Sequence, residues 1–408
     1  MPPPSDPPPG HAGGVLRIDL DAIAANYRVL RARLAGATCG AVVKADGYGL
    51  GAAKVAKALA GAGCRDFFVA LIDEGVEIRA VLPAADIYAF CGATPETAAA
   101  LAEHRLIPAL NDLGQIEAYS AYARTRATEA GGGDGSGRLA ALIHIDTGMT
   151  RLGLEAREVA ALADNPERLA GIEVKYVMSH LAAAEEPANP LNARQLAAFD
   201  DARAQLAPCL RQAGASLSPR FAGVAGRRRQ AGVDAPASLA NSSGIFLGPD
   251  YHFDLARPGA ALYGIAPQAG VPNPMTQVVR LQGKILQVRD VDSPMTVGYG
   301  ATHRVRAKGR IATVGVGYAD GYFRALGNRG HAYIGETRVP VVGRVSMDLI
   351  TFDVAKVPPD QAVPGGFIDL ISDHHPVDAL AEEAGTIGYE ILTALGRRYH
   401  RIYSGGAG

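Results

Sequence analysis

The sequence predicts an α/β protein: a (β/α)8 barrel of the TIM type followed by a mainly β C-terminal domain. Three observations carry this. From Val15 to about Gly264, short apolar runs alternate with Ala/Leu/Arg-rich stretches of helical period, the signature of repeated βα units on a parallel sheet. About eight such units fit, the number a closed barrel needs. Beyond about Pro274 the texture changes to short β-branched runs separated by Gly and Pro. An open doubly wound sheet is the alternative, but no G-x-G-x-x-G fingerprint follows the first strand.

The opening residues 1–14 are rich in proline and lack both a basic and an apolar segment, so they read as a disordered tail and not as a signal peptide. Leu20–Leu30 is the first helix, with Asp19 or Asp21 as its cap. Strands are expected at Ala41–Val43, Phe67–Leu71, Asp86–Phe90, Ile107–Leu110, Leu139–Ile145, Glu173–Met178 and Arg257–Tyr263. Two stretches, Glu129–Gly137 and Gly223–Gly232, interrupt this rhythm as Gly-rich or basic surface loops. The barrel segment is therefore 15–275, with a boundary near 265–278 where Ala266-Pro267 and Val271-Pro272-Asn273-Pro274 supply turn chemistry. In the β segment, 276–408, strands are expected at Val278–Arg289, Arg310–Gly317, Ala332–Ile334, Arg338–Val342, Leu349–Val354 and Phe367–Ile371. One helix, Asp378–Ala384, follows them, capped by Asp378 and stopped by Gly385.

Composition narrows the function classes. The 408 residues include 40 Lys+Arg against 41 Asp+Glu, so no electrostatic case exists for nucleic acid or a membrane surface. No apolar run approaches the length of a membrane-spanning helix. Cys39, Cys64, Cys91 and Cys209 show no C-x-x-C spacing and read as reduced thiols of a cytoplasmic protein. A small molecule or another protein chain is the expected partner.

The chemistry centres on Val42-Val43-Lys44-Ala45-Asp46-Gly47-Tyr48-Gly49. An apolar strand delivers one lysine into a glycine-bracketed loop, where barrels place their active sites. A desolvated lysine there can act as a Schiff-base nucleophile or a base; taken alone, the stretch is better explained by a solvated ammonium. His144-Ile145-Asp146-Thr147-Gly148-Met149-Thr150-Arg151 puts Asp146 and Arg151 at the same rim, Arg151 as a carboxylate clamp or Asp146 as a simple cap. His180 ends another strand. Asn241-Ser242-Ser243-Gly244 and Arg257-Pro258-Gly259-Ala260 are small-residue loops late in the barrel, where phosphate commonly sits. A buried Arg257 would need an anion or strong acceptor. In the β segment three glycine-edged motifs carry Tyr299, Tyr318 and Met347. His374-His375 lack properly spaced Cys or carboxylate companions, so no metal set is expected. No nucleophile elbow or Walker loop occurs.

Taken together, V-V-K-A-D-G-Y-G, D-T-G-M-x-R-L-G, S-H, N-S, R-P-G-A-x-x-Y-G, V-G-Y-G, G-Y-A-D-G, G-R-V-S-M-D and G-Y-E resemble the alanine racemases from about Val15 to Tyr403. The resemblance implies a pyridoxal 5'-phosphate barrel followed by a β domain. It also implies a head-to-tail homodimer whose β domains complete each other's sites, and interconversion of L- and D-alanine for peptidoglycan. Lys44 would carry the cofactor as an internal aldimine and Tyr299 of the partner subunit would be the opposing base. Removing a proton from one face and returning it on the other needs a group on each. By the same resemblance Arg257 faces the pyridine nitrogen with His180 hydrogen-bonded near it. Tyr48, Ser242, Gly259, Ala260 and Tyr389 surround the phosphate, while Arg151 and the partner's Met347 hold the substrate carboxylate. One departure stands out: His144 occupies a position where many relatives carry a carbamylated lysine that orients the arginine. His144, another acidic side chain or a bound anion is expected to take over for Arg151. A racemase of broader specificity, for instance toward serine, and a barrel-fold amino-acid decarboxylase are the alternative functions, although the β segment lacks the cysteine motif the latter needs.

Overall fold

The computed structural model describes residues 10–34, 36–129, 137–213 and 236–406; most of the proline-rich tail and of both expected loops lies outside them. A parallel seven-stranded sheet runs in chain order through Ala41–Val42, Asp66–Val69, Asp86–Ala89, Ile107–Leu110, Leu139–His144, Ile172–Met178 and Ala237–Ser238. Leu255–Ala256 closes it. Its neighbourhood bonds to the seventh strand through Arg257 N–H to Ala240 O (2.8 Å) and to the first through Gly40 N–H to Ala256 O and Val42 N–H to Pro258 O (both 2.9 Å). Thr38–Cys39 pairs with it in parallel, so among the described residues backbone hydrogen bonds carry the sheet from its seventh strand round to its first, as in a barrel. Four of its strands are buried along almost their whole length, which is why they read as apolar runs and not as alternating ones.

The expected strand Arg257–Tyr263 is shifted. The extended residues are Leu255–Ala256, and Ala260–Tyr263 forms a 3-10 turn ending at Gly264 with φ 86°. Apolar character alone does not separate a two-residue strand from a buried turn. The first helix, Leu20–Arg33, starts where Asp19 Oδ1 accepts the Ala22 N–H at 2.9 Å. It buries Leu20, Ile23, Tyr27 and Leu30, one stripe at helical spacing. Its buried Asn26 grips the stretch between the two segments, donating to Leu262 O and Thr276 O and accepting from Thr276 N–H.

The second sheet departs from the sequence-based boundaries. Its path is Thr337–Pro340, His331–Ile334, Phe367–Ile371, Val279–Val291, Gly14–Asp19 and His400–Ser404, with Gly309–Val314 and Ile350–Asp353 branching from the long strand. Gly14–Asp19, assigned above to the barrel segment, pairs antiparallel with Val279–Gly283 and parallel with His400–Ser404. Near the C-terminus, Val377–Ala384 is followed by a second helix, Gly388–Ala394. Gly385 ends the first of these with φ 74°, as expected, but Asp378 accepts the Ala266 N–H at 2.9 Å and does not cap its own helix. Among the described residues no helix is long and apolar enough to cross a membrane, and all four cysteines are free thiols, Cys91 being the exposed one.

Candidate active site

A cavity of about 730 Å³ opens at the carboxyl ends of the barrel strands. Lys44, Tyr48, Arg151, His180, Ser242, Arg257, Gly259, Ala260 and Tyr389 all line it. Tyr299 and Met347 do not: they are 72% and 54% exposed on the β domain.

Lys44 follows the first barrel strand and enters a loop of unusual handedness. Ala45, Asp46, Gly47, Tyr48 and Gly49 all have positive φ, between 53° and 78°. Three of them carry side chains, so this backbone is strained and persists only where its surroundings over-determine it. Glu74 supplies much of that determination. One carboxylate oxygen accepts the Ala45 N–H at 2.7 Å, the other accepts Ala70 N–H at 2.7 Å and Leu71 N–H at 3.1 Å. Asp46 Oδ1 accepts the Ala52 N–H at 2.9 Å from the far side. The sequence reading missed Glu74; its spacing from Leu71, third in a helix that follows a strand, was the available signal. Burial, with the nearby Arg151 charge, lowers the Lys44 pKa from the ordinary lysine value, favouring the neutral amine a nucleophile or base requires.

Arg257 is buried and contacts only neutral acceptors: Ser179 O at 2.6 Å and the Ser238 hydroxyl. No hydrogen bond joins it to His180, contrary to the expectation above. Burial pushes its pKa down to about 9, still charged at neutral pH. His180 and His144 are held neutral, His144 at about 4, by burial first and the Arg257 charge second. The expectation for His144 is also revised. Its Nδ1 lies 2.7 Å from the Asn111 Oδ1, and among the described residues no acidic side chain holds the exposed Arg151 guanidinium. Asp146, the nearest candidate by sequence, instead accepts three successive backbone N–H groups, from Gly148, Met149 and Thr150.

At another wall Ser242 Oγ accepts the N–H groups of Gly259 (2.9 Å) and Ala261 (3.2 Å), setting the loop that follows Arg257. Tyr48 stacks on Tyr263, ring centroids 4.4 Å apart, and has Tyr389 6.2 Å away. A Cβ on Gly259 would fall 2.3 Å from the Tyr48 hydroxyl, so this cradle exists only because the residue is glycine. Three cations, Lys44, Arg151 and Arg257, face a single lining carboxylate, Glu390, itself bonded by Thr386. An excess of positive charge, with Arg257 buried and Lys44 half-buried, beside a small-residue cradle fronted by hydroxyls suits a phosphate, and a second anionic group near the exposed Arg151. The residues present fit pyridoxal phosphate in this way.

Tyr299, Tyr318 and Met347 share one exposed surface. Gly298 packs against Gly343 and Arg344, Gly317 packs against the Met347 carbonyl, and Ala319 N–H donates to that carbonyl at 3.0 Å. Arg398 fixes the loop from behind, donating to both Asp320 oxygens (2.6 and 2.8 Å) and to Asp348 (2.8 Å).

The family models described as alanine racemase N-terminal domain and C-terminal domain match residues 18–222 with 218–267, and 278–403, respectively. An alanine racemase of Rhodospirillum rubrum is 51% identical over 397 residues, covering 97% of this chain and 96% of its own. A catabolic alanine racemase of Mesorhizobium japonicum is 46% identical over 396 residues, 97% of this chain and 94% of that one. Among solved structures, alanine racemase of Bartonella henselae with covalently bound pyridoxal phosphate superposes with a TM-score of 0.84 at 38% identity. It covers 96% of this chain and 100% of that one.

Proposed function

The chain belongs to the alanine racemase family, a pyridoxal-phosphate-dependent isomerase, and we propose that it interconverts L- and D-alanine at a site shared by two copies. One observation carries the shared site. The cavity holding Lys44 is rimmed by exposed apolar residues, Leu152 (43%) and Ile387 (60%), while Tyr299, Tyr318 and Met347 form a second exposed apolar surface on the other domain. Such surfaces mark interfaces, and a two-fold pairing in which each rim meets the other chain's tyrosine patch covers both at once.

Bound pyridoxal phosphate supplies an electron sink for the substrate's α-carbon. Everything else falls to the chain. Lys44 would hold the cofactor. Its depressed pKa lets the released amine accept the α-proton of D-alanine on one face, or return a proton there. Tyr299 of the partner subunit does the same on the opposite face for L-alanine. Tyr48, Ser242, Tyr389 and the turn at Gly259 and Ala260 hold the phosphate. Arg257 would hold the cofactor's ring nitrogen and, because a guanidinium yields its proton reluctantly, would leave it unprotonated; His180, neutral beside it, adds no competing charge. Arg151 takes the substrate carboxylate together with the backbone of the partner's Met347. With no acidic side chain on Arg151 among the described residues, the substrate carboxylate would be its counter-charge.

We assign the product to peptidoglycan supply in the cytoplasm. Rescue of a D-alanine auxotroph tests that role against the catabolic one named for the Mesorhizobium relative. Racemisation assays over L-alanine, L-serine and larger amino acids test the substrate: serine turned over as fast as alanine would replace the alanine reading with the broader one. Lys44→Ala should abolish both the visible band of bound cofactor and activity, and a colourless wild-type protein after reconstitution would refute the assignment.

A further inference from the structure

Two histidines and a glutamate far apart in the sequence converge in the β domain. His331 opens the strand His331–Ile334, His375 sits in the turn after Phe367–Ile371, and Glu383 lies in the last turn of Val377–Ala384. One ligand atom from each lies within 4.8 Å of the others. His331 Nδ1 contacts Glu383 Oε1, and His375 Nε2 is 3.6 Å from Glu383 Oε2.

The hydrogen-bond roles leave this cluster short of positive charge. His375 Nδ1 lies 3.1 Å from Leu370 O, which can only accept, so that nitrogen carries the proton and Nε2 presents a bare lone pair. Nε2 is buried without a hydrogen-bond partner and faces a carboxylate oxygen, acceptor against acceptor. His331 Nδ1 sits between Arg338 Nη2 at 3.1 Å, which can only donate, and the closer Glu383 Oε1, which can only accept, so neither tautomer of this neutral ring suits both neighbours.

We propose that His331 Nδ1, His375 Nε2 and the Glu383 carboxylate bind a divalent cation of the zinc type, cross-linking the strand His331–Ile334 to the helix Val377–Ala384. Two imidazoles and a carboxylate match the donors that zinc takes, with water completing a fourth position. Ligands about 2.1 Å from a tetrahedral ion stand about 3.4 Å apart, close to the 3.6 Å between His375 and Glu383. His375 already has the second hydrogen bond, to a backbone carbonyl, that orients a metal-ligating histidine. Glu383 also accepts the His331 N–H at 3.3 Å, which fixes the carboxylate between the rings. Arg338, exposed on the strand Thr337–Pro340, occupies the His331 lone pair and turns outward when the ion enters. Spacing could not show this site, since its companions to His375 are 44 residues before it and 8 after, and neither interval is a zinc-motif spacing.

The test uses the holoenzyme with Cys91→Ser as background, to remove the exposed thiol, freed of metal by chelation and titrated with Zn2+ alone by calorimetry. One ion per chain, and a higher unfolding temperature with Zn2+, are expected. Glu383→Gln and His375→Ala should each weaken binding at least tenfold, and Arg338→Ala should tighten it. If His375→Ala fails to fold, Glu383→Gln and Arg338→Ala decide. No stoichiometric binding to the parent, or binding unchanged in Glu383→Gln, overturns the proposal.

Discussion

Co-expressing a Lys44→Ala chain with a Tyr299→Phe chain should regenerate racemase activity that neither variant has alone. Tyr299 is 72% exposed and absent from the cavity that Lys44 lines, so within one chain the two side chains do not face a common substrate. In a mixed dimer, the barrel of the Tyr299→Phe chain keeps Lys44 and receives an intact Tyr299 from the other chain. The second site has lost both. Random pairing makes half the dimers mixed, each with one intact site, so the preparation should show about one quarter of wild-type activity per site. Each parent alone should fall by roughly 10²–10⁴-fold or more, the usual loss for an acid/base group. Alanine racemisation, followed by coupled oxidation of D-alanine, reads the result on dimers purified through two different tags. Those tagged heterodimers should approach half of wild-type activity. Activity no higher than the mean of the two parents would refute the shared site and return Tyr299 to its own chain or to no role.

Three other outcomes follow from the geometry. Gly259→Ala adds a Cβ 2.3 Å from the Tyr48 hydroxyl, so the tyrosine must move. Cofactor affinity should drop at least tenfold by equilibrium dialysis, with an unchanged circular dichroism spectrum; unchanged affinity would remove Tyr48 from the phosphate cradle. Glu74→Ala strips acceptors from three backbone N–H groups and should cost about 1–3 kcal/mol in denaturant melts, with kcat falling further than stability explains. Glu74→Gln should restore part of both, and a wild-type kcat in Glu74→Ala would show that the loop holds its own shape. The third concerns acid. His144 titrates at about 4 when folded, below the ordinary histidine value of about 6.5, so the unfolded chain takes up its proton first. Its contribution, about 3 kcal/mol, is fully present above pH 6.5 and is lost as pH falls toward 4; His252, also lowered by burial, acts in the same direction. Melting temperatures of the apoenzyme should decline across that window, and His144→Asn should flatten the decline.

The site was legible wherever local texture and chemistry coincide. Lys44 was visible because an apolar strand ends in a lone amine before glycines, and Arg257 because a guanidinium in an apolar run demands an acceptor. The structure puts both in one cavity. What it adds is contact across long intervals. Glu74 reaches back 29 residues to the Ala45 N–H, and Asn111 reaches forward 33 to His144; neither carries a local mark of its partner. Arg257–Tyr263 misled because burial makes a 3-10 turn as apolar as a strand. The terminal strand His400–Ser404 escaped for the opposite reason: a polar, half-exposed edge has no apolar run to announce it.

Gly14–Asp19 lies between a strand that begins at Val279 and one that ends at Ser404. During synthesis this segment leaves the ribosome ahead of the barrel, yet its neighbour His400–Ser404 leaves after it, so it must wait, unpaired on at least one side, while the barrel assembles behind it. The β domain therefore cannot be completed before His400–Ser404 has emerged. A truncation ahead of His400 should leave a barrel that binds cofactor but a sheet with an open edge at Gly14–Asp19, prone to recruit a strand from another molecule. Light scattering of such a truncate, compared with the full chain, would register that recruitment as aggregation.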